Sequence, residues 1–215
     1  MMYQLKNIQT SVSYNAEELV LVALLNSKPF DTWNCNCPLE EFPRGTSTAR
    51  KNLKDKIKRE LIVIQDNYCA YCGVNFFLVT NSKIHRDHIL PKNTERYRKF
   101  TYESKNIVLS CDTCNGLDIK KDKDYVTYYS DDYDYIETSI VHPHLDNVEE
   151  HINLNNSVYA EVVNDSPKGR MSIIEFELNC ERNLVLRGKL MRRTTVNTAE
   201  ELLIDSIMGR SRQLR

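Results

Sequence analysis

The chain has 215 residues, of which 41% are hydrophobic and 27% are charged, and its formal net charge is −1. These values are typical of a soluble globular protein and exclude a disordered chain, and the length suits one domain with an extension. The longest apolar run, Leu19 to Leu25, is too short to cross a membrane, and the first residues lack the pattern of a signal peptide. We therefore expect a cytoplasmic protein that does not associate with a membrane.

The charge is spread unevenly along the chain. Residues 44–59 contain seven Lys or Arg, whereas residues 131–150 contain seven Asp or Glu and neither Lys nor Arg. A neutral sum can therefore hide a basic surface suited to nucleic acid, although a run of charge is more often a solvated face.

Helical periodicity predicts two helices in the first third of the chain. One spans Glu17 to Leu25. The other is capped by Thr46 or Ser47 and runs to about Gln65, because apolar residues recur there at helical spacing. Between them, Pro29, Pro38 and Pro43 indicate an irregular connection.

The last third of the chain predicts a mixture of elements. Residues 131–153 favour loops and short strands. Val158 to Val163 and Ser172 to Glu177 are predicted as strands joined by a turn at residues 167–169. Two helices are predicted to follow, at Cys180 to Arg193 and at Thr198 to Met208.

Four of the seven cysteines form two C-x-x-C pairs, Cys69 with Cys72 and Cys111 with Cys114. Two residues between the thiols let a pair bind one tetrahedral ion, so the pairs together predict a structural Zn²⁺ site. Gly73 follows the first pair and permits the tight turn that such a site needs. A redox dithiol is the alternative, and a purely structural zinc finger is another.

The other three cysteines, Cys35, Cys37 and Cys180, are interpreted as free thiols. A second metal site is an open alternative for Cys35 with Cys37, and also for the three histidines His142, His144 and His151. Histidines whose hydrogen bonds are satisfied within a loop are the simpler interpretation of the latter set.

The segment between the cysteine pairs carries the residues suited to catalysis. Residues 85–91 read H-R-D-H-I-L-P, residues 106–110 read N-I-V-L-S, and Asn115 directly follows the last cysteine. In this order the chain resembles the zinc-bearing HNH endonucleases, which read C-x-x-C, D-H-I-x-P and N-[IL]-V-x-x-C-x-x-C-[HN]. The resemblance implies a ββα-metal core that hydrolyses phosphodiester bonds.

The resemblance also implies a role for each residue. Asp87 and Asn115 would bind a catalytic Mg²⁺ or Mn²⁺, since both offer hard oxygen ligands. His88 would be the general base, because imidazole titrates near neutral pH. Asn106 would orient the segment that carries His88. His85 is interpreted as structural, with a further metal or phosphate contact as the alternative.

Two positions depart from the family pattern. Asn115 stands where many members have His, which leaves the preferred metal less defined. Asp118 stands where many members have a Lys that contacts phosphate, and Lys120 and Lys121 follow slightly later.

Beyond the core, residues 142–151 read H-P-H-L-D-N-V-E-E-H. This segment is similar to one found in the HNH nuclease subunits of Septu-type and retron-associated bacterial anti-phage systems. The stretch Met171 to Arg193 and the helix that precedes the first cysteine also resemble that subfamily. The similarity implies an effector that cleaves DNA, more readily than RNA, beside an ATPase subunit.

Taken together, the sequence predicts an α+β protein in three parts. A helical N-terminal region would span residues 1–66, an HNH core residues 67–125, and a mixed, partner-docking extension residues 126–215. Two other functions stay open, namely a restriction or homing-type nuclease that acts alone, and a non-catalytic zinc module that binds nucleic acid or protein.

Overall fold

The N-terminal helices lie close to their predicted positions. The computed structural model describes residues 5–77, 84–116, 119–154, 158–189 and 191. Helix α1 spans Ala16–Asn26, and its start is fixed by a capping box in which Asn15 and Glu18 exchange hydrogen bonds of 2.9 Å. The predicted helix at Glu17 to Leu25 is therefore confirmed.

Helix α2 spans Thr46–Ile64 and buries Leu53, Ile57 and Leu61 on one face, as its periodicity predicts. Its cap differs from the prediction. Gly45 occupies that position with a left-handed backbone (φ 93°), a conformation that glycine adopts without strain. Thr46 is the first helical residue, and its hydroxyl donates instead to the carbonyl of Pro43 at 2.8 Å.

Within the described ranges, three two-stranded antiparallel sheets follow along the chain. Strand β1 (Ile84–His88) pairs with β2 (Ile107–Cys111), β3 (Val126–Tyr128) with β4 (Glu137–Thr138), and β5 (Ile152–Asn153) with β6 (Glu161–Val162). Short helix α3 (Asp112–Asn115) continues directly from β2. The described residues thus form a mixed α and β architecture with small sheets, in keeping with the predicted class.

The predicted strand at Ser172 to Glu177 is wrong, because most of this segment belongs to helix α4 (Pro167–Glu175). Ser166 caps that helix by accepting from the backbone N–H of Gly169 at 3.0 Å, and Pro167 fits the first helical turn. The predicted turn at residues 167–169 is therefore the helix start. These capping signals outweigh the apolar alternation that suggested a strand.

The neighbouring predictions have mixed outcomes. The strand predicted at Val158 to Val163 shrinks to the two residues of β6, whereas the loops and short strands expected over residues 131–153 are confirmed. The described part of the helix predicted at Cys180 to Arg193 is helical over residues 181–189. The helix predicted at Thr198 to Met208 lies outside the described residues.

Packing in the core connects the end of helix α4 to the first C-x-x-C pair. Tyr71 stacks on Phe176 with ring centroids 4.4 Å apart and an interplanar angle of 9°. Every residue of β2 is buried, so this strand lies inside the fold. None of the helices among the described residues combines the length and the apolar character needed to cross a membrane.

Candidate active site

The hairpin β1–β2 brings three of the predicted site residues to one pocket. In its register, Asp87 lies opposite Val108 and His88 lies opposite Ile107. Helix α3 begins right after β2 and carries Asn115 to the same place. Asp87, His88 and Asn115 all line an open pocket of about 320 Å³, together with Trp33, Asn34, Arg86, Pro91, Lys92, Lys121 and Asp122.

The carboxylate of Asp87 is nearly buried and has two protein partners. Its Oδ2 accepts a hydrogen bond of 2.6 Å from the hydroxyl of Tyr71, and the ammonium of Lys120 lies 3.3 Å from the same oxygen. Lys120 is only 1% exposed and also donates to the backbone carbonyl of His88. A buried carboxylate needs such a counter-charge, so Lys120 holds Asp87 in place.

The imidazole of His88 is held as a single tautomer. Its Nε2 lies 3.0 Å from the carbonyl of Thr101, and because a carbonyl only accepts, Nε2 carries the proton and Nδ1 is the acceptor. Burial, together with the nearby charge of Lys92, lowers the pKa of His88 to about 3, so the ring is neutral at physiological pH but a weaker base than the near-neutral imidazole that the sequence predicts. Trp33 fixes the ring from the side, edge to face at 4.5 Å between centroids.

Asn106 lies behind the pocket and is fully buried. Its Oδ1 accepts from the backbone N–H of Leu90 at 2.8 Å, and its own backbone carbonyl accepts from Ile89 at 2.9 Å. Its Nδ2 donates to the carbonyl of Phe100 at 2.8 Å. Asn106 therefore ties the segment that follows His88 to the start of β2, without lining the pocket itself.

The four cysteines of the two C-x-x-C pairs form one buried cluster. Their sulfur atoms all lie within 4.8 Å of one another, and Cys72 Sγ is 3.7 Å from Cys111 Sγ. Four sulfurs bound to Zn²⁺ at about 2.3 Å in a tetrahedron would be about 3.8 Å apart, so the donors and their spacing fit zinc. Gly73 turns the first pair with a φ of 68°, as the motif predicts.

Residues 69–118 match the HNH endonuclease family. This segment is an HNH endonuclease domain. No curated protein matches the chain. Enzymes with this domain are nucleases that bind nucleic acid and use divalent metals, which agrees with the pocket that Asp87, His88 and Asn115 form in the HNH domain.

Other sequence-predicted candidates lie away from this pocket. The ring of His85 contacts the carboxylate of Asp112 near the end of β2. Cys35, Cys37 and Cys180 form no disulfide, and the Sγ atoms of Cys35 and Cys37 lie 3.4 Å apart. Within the described ranges, the four clustered cysteines are the one group of three or more His, Cys, Asp or Glu side chains arranged to hold a metal. Asp118 is not among the described residues.

A chain of hydrogen bonds from the C-terminal segment reaches the back of the HNH domain. The hydroxyl of Tyr133 donates to Asn106 Oδ1 at 3.0 Å, so His142 Nε2, 3.0 Å away, must donate to that hydroxyl. His142 Nδ1 in turn accepts the backbone N–H groups of His144 and Leu145. His142 is the first residue of the segment 142–151. The sequence does not reveal that this segment is linked to Asn106.

Sequence reasoning missed the roles of three other residues of the site: Trp33, Tyr71 and Lys120. Tyr71 lies inside the first C-x-x-C pair, and Lys120 closely follows the last cysteine, so nearness to the motif is the one signal that points to them. Trp33 is the single tryptophan of the chain, in a segment that the sequence leaves irregular.

Proposed function

We propose that the protein is a metal-dependent endonuclease that hydrolyses phosphodiester bonds of DNA, with a zinc-stapled ββα-metal core. The observation that carries this proposal is the convergence of Asp87, His88 and Asn115 on one pocket of the HNH domain. The predicted zinc site supports it, because clustered cysteines would fix the hairpin and α3 relative to each other in a small unit.

Asp87 and Asn115 are the residues that would hold the catalytic Mg²⁺ or Mn²⁺. Both offer oxygen donors to the same pocket, and Asp87 Oδ1, which Lys120 approaches at 3.4 Å, keeps a lone pair beyond that contact. The bound ion would supply positive charge for the developing charge on the phosphate oxygens.

The remaining chemistry belongs to the side chains. His88 takes a proton from the attacking water at Nδ1, since Nε2 is committed to the carbonyl of Thr101. That same hydrogen bond holds the resulting imidazolium in place. Lys120 orients the Asp87 carboxylate, and Asn106 holds the segment next to His88, so both act by positioning.

We also propose that the protein is the nuclease effector of a bacterial anti-phage system that contains an ATPase subunit. The support is the resemblance of residues 142–151 and of the flanking helices to such nuclease subunits. In this proposal residues 1–66 form the N-terminal region, residues 67–125 the HNH core, and residues 126–215 the extension that docks the partner. A nuclease with a net charge of −1 would bind DNA weakly until its partner recruits it.

The decisive experiment compares plasmid cleavage by the wild type, His88→Ala and His85→Ala, each zinc-loaded and supplied with Mg²⁺ or Mn²⁺. We expect His88→Ala to lose cleavage by about 10²- to 10⁴-fold while keeping its zinc. His85→Ala is the matched control, because His85 lies on the same strand but does not line the pocket. Each protein is assayed alone and after co-purification with the products of neighbouring genes.

Four outcomes separate the alternatives. Cleavage that His88→Ala leaves intact contradicts the proposed active site. Retained biological activity in His88→Ala favours a non-catalytic zinc module. Strong cutting by the isolated wild type contradicts partner control. Site-defined fragments from the isolated wild type favour a restriction or homing-type nuclease.

A further inference from the structure

A second open pocket, of about 380 Å³, adjoins the candidate active site. The first two turns of α2 form most of its wall, and it shares Arg86 with the pocket of Asp87 and His88. We call it the basic pocket. Its lining residues are Ser47, Thr48, Arg50, Lys51, Lys54, Asp55 and Arg86. Four cations thus face one carboxylate.

Backbone carbonyls hold three of these cations in place. Arg86 Nη1 donates to the carbonyl of Lys54 at 2.6 Å, and Lys54 Nζ donates to the carbonyl of Trp33 at 3.0 Å. Arg50 Nη1 donates to the carbonyl of Thr32 at 2.8 Å. A carbonyl orients a cation without cancelling its charge, so the pocket is preorganised and positive.

Asp55 is the single acidic residue that lines the basic pocket, and two of the pocket's cations share its carboxylate. Its carboxylate lies 3.1 Å from Lys51 and 3.6 Å from Arg86, and both contacts are partly solvated. Burial and the charges of Arg86 and Arg50 lower the pKa of Lys54 to about 8. The cations therefore repel one another, and a bound anion would relieve that repulsion.

The side chain of Trp33 joins the two pockets. Lys54 Nζ lies 4.5 Å from the centre of its ring and the Arg86 guanidinium lies 5.8 Å from it, while His88 packs edge to face against the same ring. A nucleic-acid strand whose phosphodiester lies at His88 would therefore run along the basic pocket.

We propose that the basic pocket binds a backbone phosphate of the nucleic acid, one that neighbours the phosphodiester cleaved at His88. This inference rests on the proposed nuclease function and names the surface that positions its substrate. Arginine and lysine recognise phosphate by charge-assisted hydrogen bonds, and the first turn of the 19-residue helix α2 adds backbone N–H groups and its positive dipole end. Such contacts position the strand and carry no sequence preference.

The test measures binding in a His88→Ala background, so that nothing is cut. The probes are a fluorescein-labelled DNA duplex of about 20 base pairs and an RNA duplex of the same sequence, titrated over a range of salt concentrations. The variants are Lys51→Gln, Lys54→Gln and their combination. Lys54→Arg serves as the conservative rescue, and Lys51 is exposed enough for its removal to spare the fold.

Lys56→Gln is the matched control. Lys56 lies on the same helix and carries the same charge, but its ammonium binds Glu18 at 2.6 Å and the carbonyl of Ser13 at 2.7 Å, outside the basic pocket. We expect the double variant to bind at least one duplex roughly tenfold more weakly at low salt. Its salt slope should fall by about 1 to 2 units, whereas Lys56→Gln should match the background.

Equal binding by the double variant and Lys56→Gln overturns the proposal, and so does the absence of binding to either duplex. An effect confined to capture of an acidic partner protein overturns it too. Cleavage is scored separately in the wild type. If the wild type cuts but the basic-pocket variants bind normally, the nuclease proposal stands and this one fails. If the variants lose binding but the wild type never cuts, the basic pocket still binds a backbone phosphate and the nuclease proposal fails.

Discussion

The front and the back of the candidate site are built from different kinds of residue. At the front, Asp87, His88 and Asn115 come from one short stretch whose ends are fixed by the clustered cysteines. At the back, residues 133–154 and 158–178, which we call the C-terminal support, reach the same stretch from far along the chain. Tyr133 bonds to Asn106, and Phe176 stacks on Tyr71.

The difference follows from what each side must do. In the proposed nuclease the front needs particular metal ligands and a proton acceptor, and few residue types can provide them. The back needs only that the hairpin be buried and that the oxygen of Asn106 be satisfied, which many side chains can do. The front residues can therefore be recognised as a sequence motif, whereas the contacts at the back can be recognised only in the folded structure.

The largest effect should come from removing the proposed zinc at the front. Cys72→Ser leaves three thiolates where four sulfurs fit the ion, and structural zinc sites contribute roughly 10 to 16 kcal/mol in small domains. We expect the variant to lose zinc, cleavage and cooperative thermal unfolding of the core, as measured by metal analysis and calorimetry. Cys180→Ser is the control because Cys180 lies outside the cluster. Full zinc content in Cys72→Ser would contradict the four-cysteine site.

The next effect concerns the buried ion pair between Lys120 and Asp87. Lys120→Met keeps the length of the side chain but leaves the Asp87 carboxylate buried without its counter-charge, which typically costs about 3 to 5 kcal/mol. Urea unfolding of the zinc-loaded protein measures the loss of stability. Lys123→Met is the matched control, since the Lys123 side chain is 48% exposed and an exposed pair contributes about 0 to 1 kcal/mol. Equal losses in the two variants would show that Lys120 has no special role.

The same contrast explains which parts of the fold are predictable. The spacing of the cysteines and the order of Asp87, Asn106 and Asn115 are imposed by chemistry, so the sequence indicates them directly. Helix α2 is predictable because its apolar residues repeat at helical spacing over many turns. These signals are local, and each needs no knowledge of the rest of the chain.

The remainder depends on tertiary contacts. Nothing in the sequence marks Trp33 as the partner of His88, or Tyr133 as the donor to Asn106, because both are ordinary aromatic residues until the chain is folded. The segment from Ser172 to Glu177 alternates like a strand, yet Ser166 and Pro167 start a helix whose Gly169 packs against the backbone of His151. A short apolar alternation alone cannot separate the two structures.

A smaller effect should come from Tyr133→Phe, which tests whether the C-terminal support affects the activity of the candidate site. The change removes the donor to Asn106 Oδ1 and leaves His142 Nε2 without its acceptor, at a cost of about 1 to 3 kcal/mol. If the C-terminal support holds the segment next to His88, kcat should fall several-fold while DNA binding is unchanged. Tyr135→Phe is the control, because Tyr135 is 68% exposed. A loss of stability with an unchanged kcat would mean that the support only stabilises the fold.

The smallest effect is a pH dependence of stability that arises in the C-terminal support. Burial holds the pKa of His142 well below 6.5, so the unfolded chain binds a proton there that the folded protein does not. Since the unfolded state binds more protons, the free energy of unfolding falls as the pH drops below 6.5, by about 1 kcal/mol over the first unit for one histidine. Urea unfolding at several pH values should therefore give a shallower slope for His142→Gln than for the wild type. Both proteins share the acid-induced loss of zinc and the titration of His144, so the difference between their slopes belongs to His142. Identical slopes would mean that His142 takes up its proton without unfolding of the protein. The hydrogen bonds that link His142 to Asn106 through Tyr133 would then not act as one rigid support.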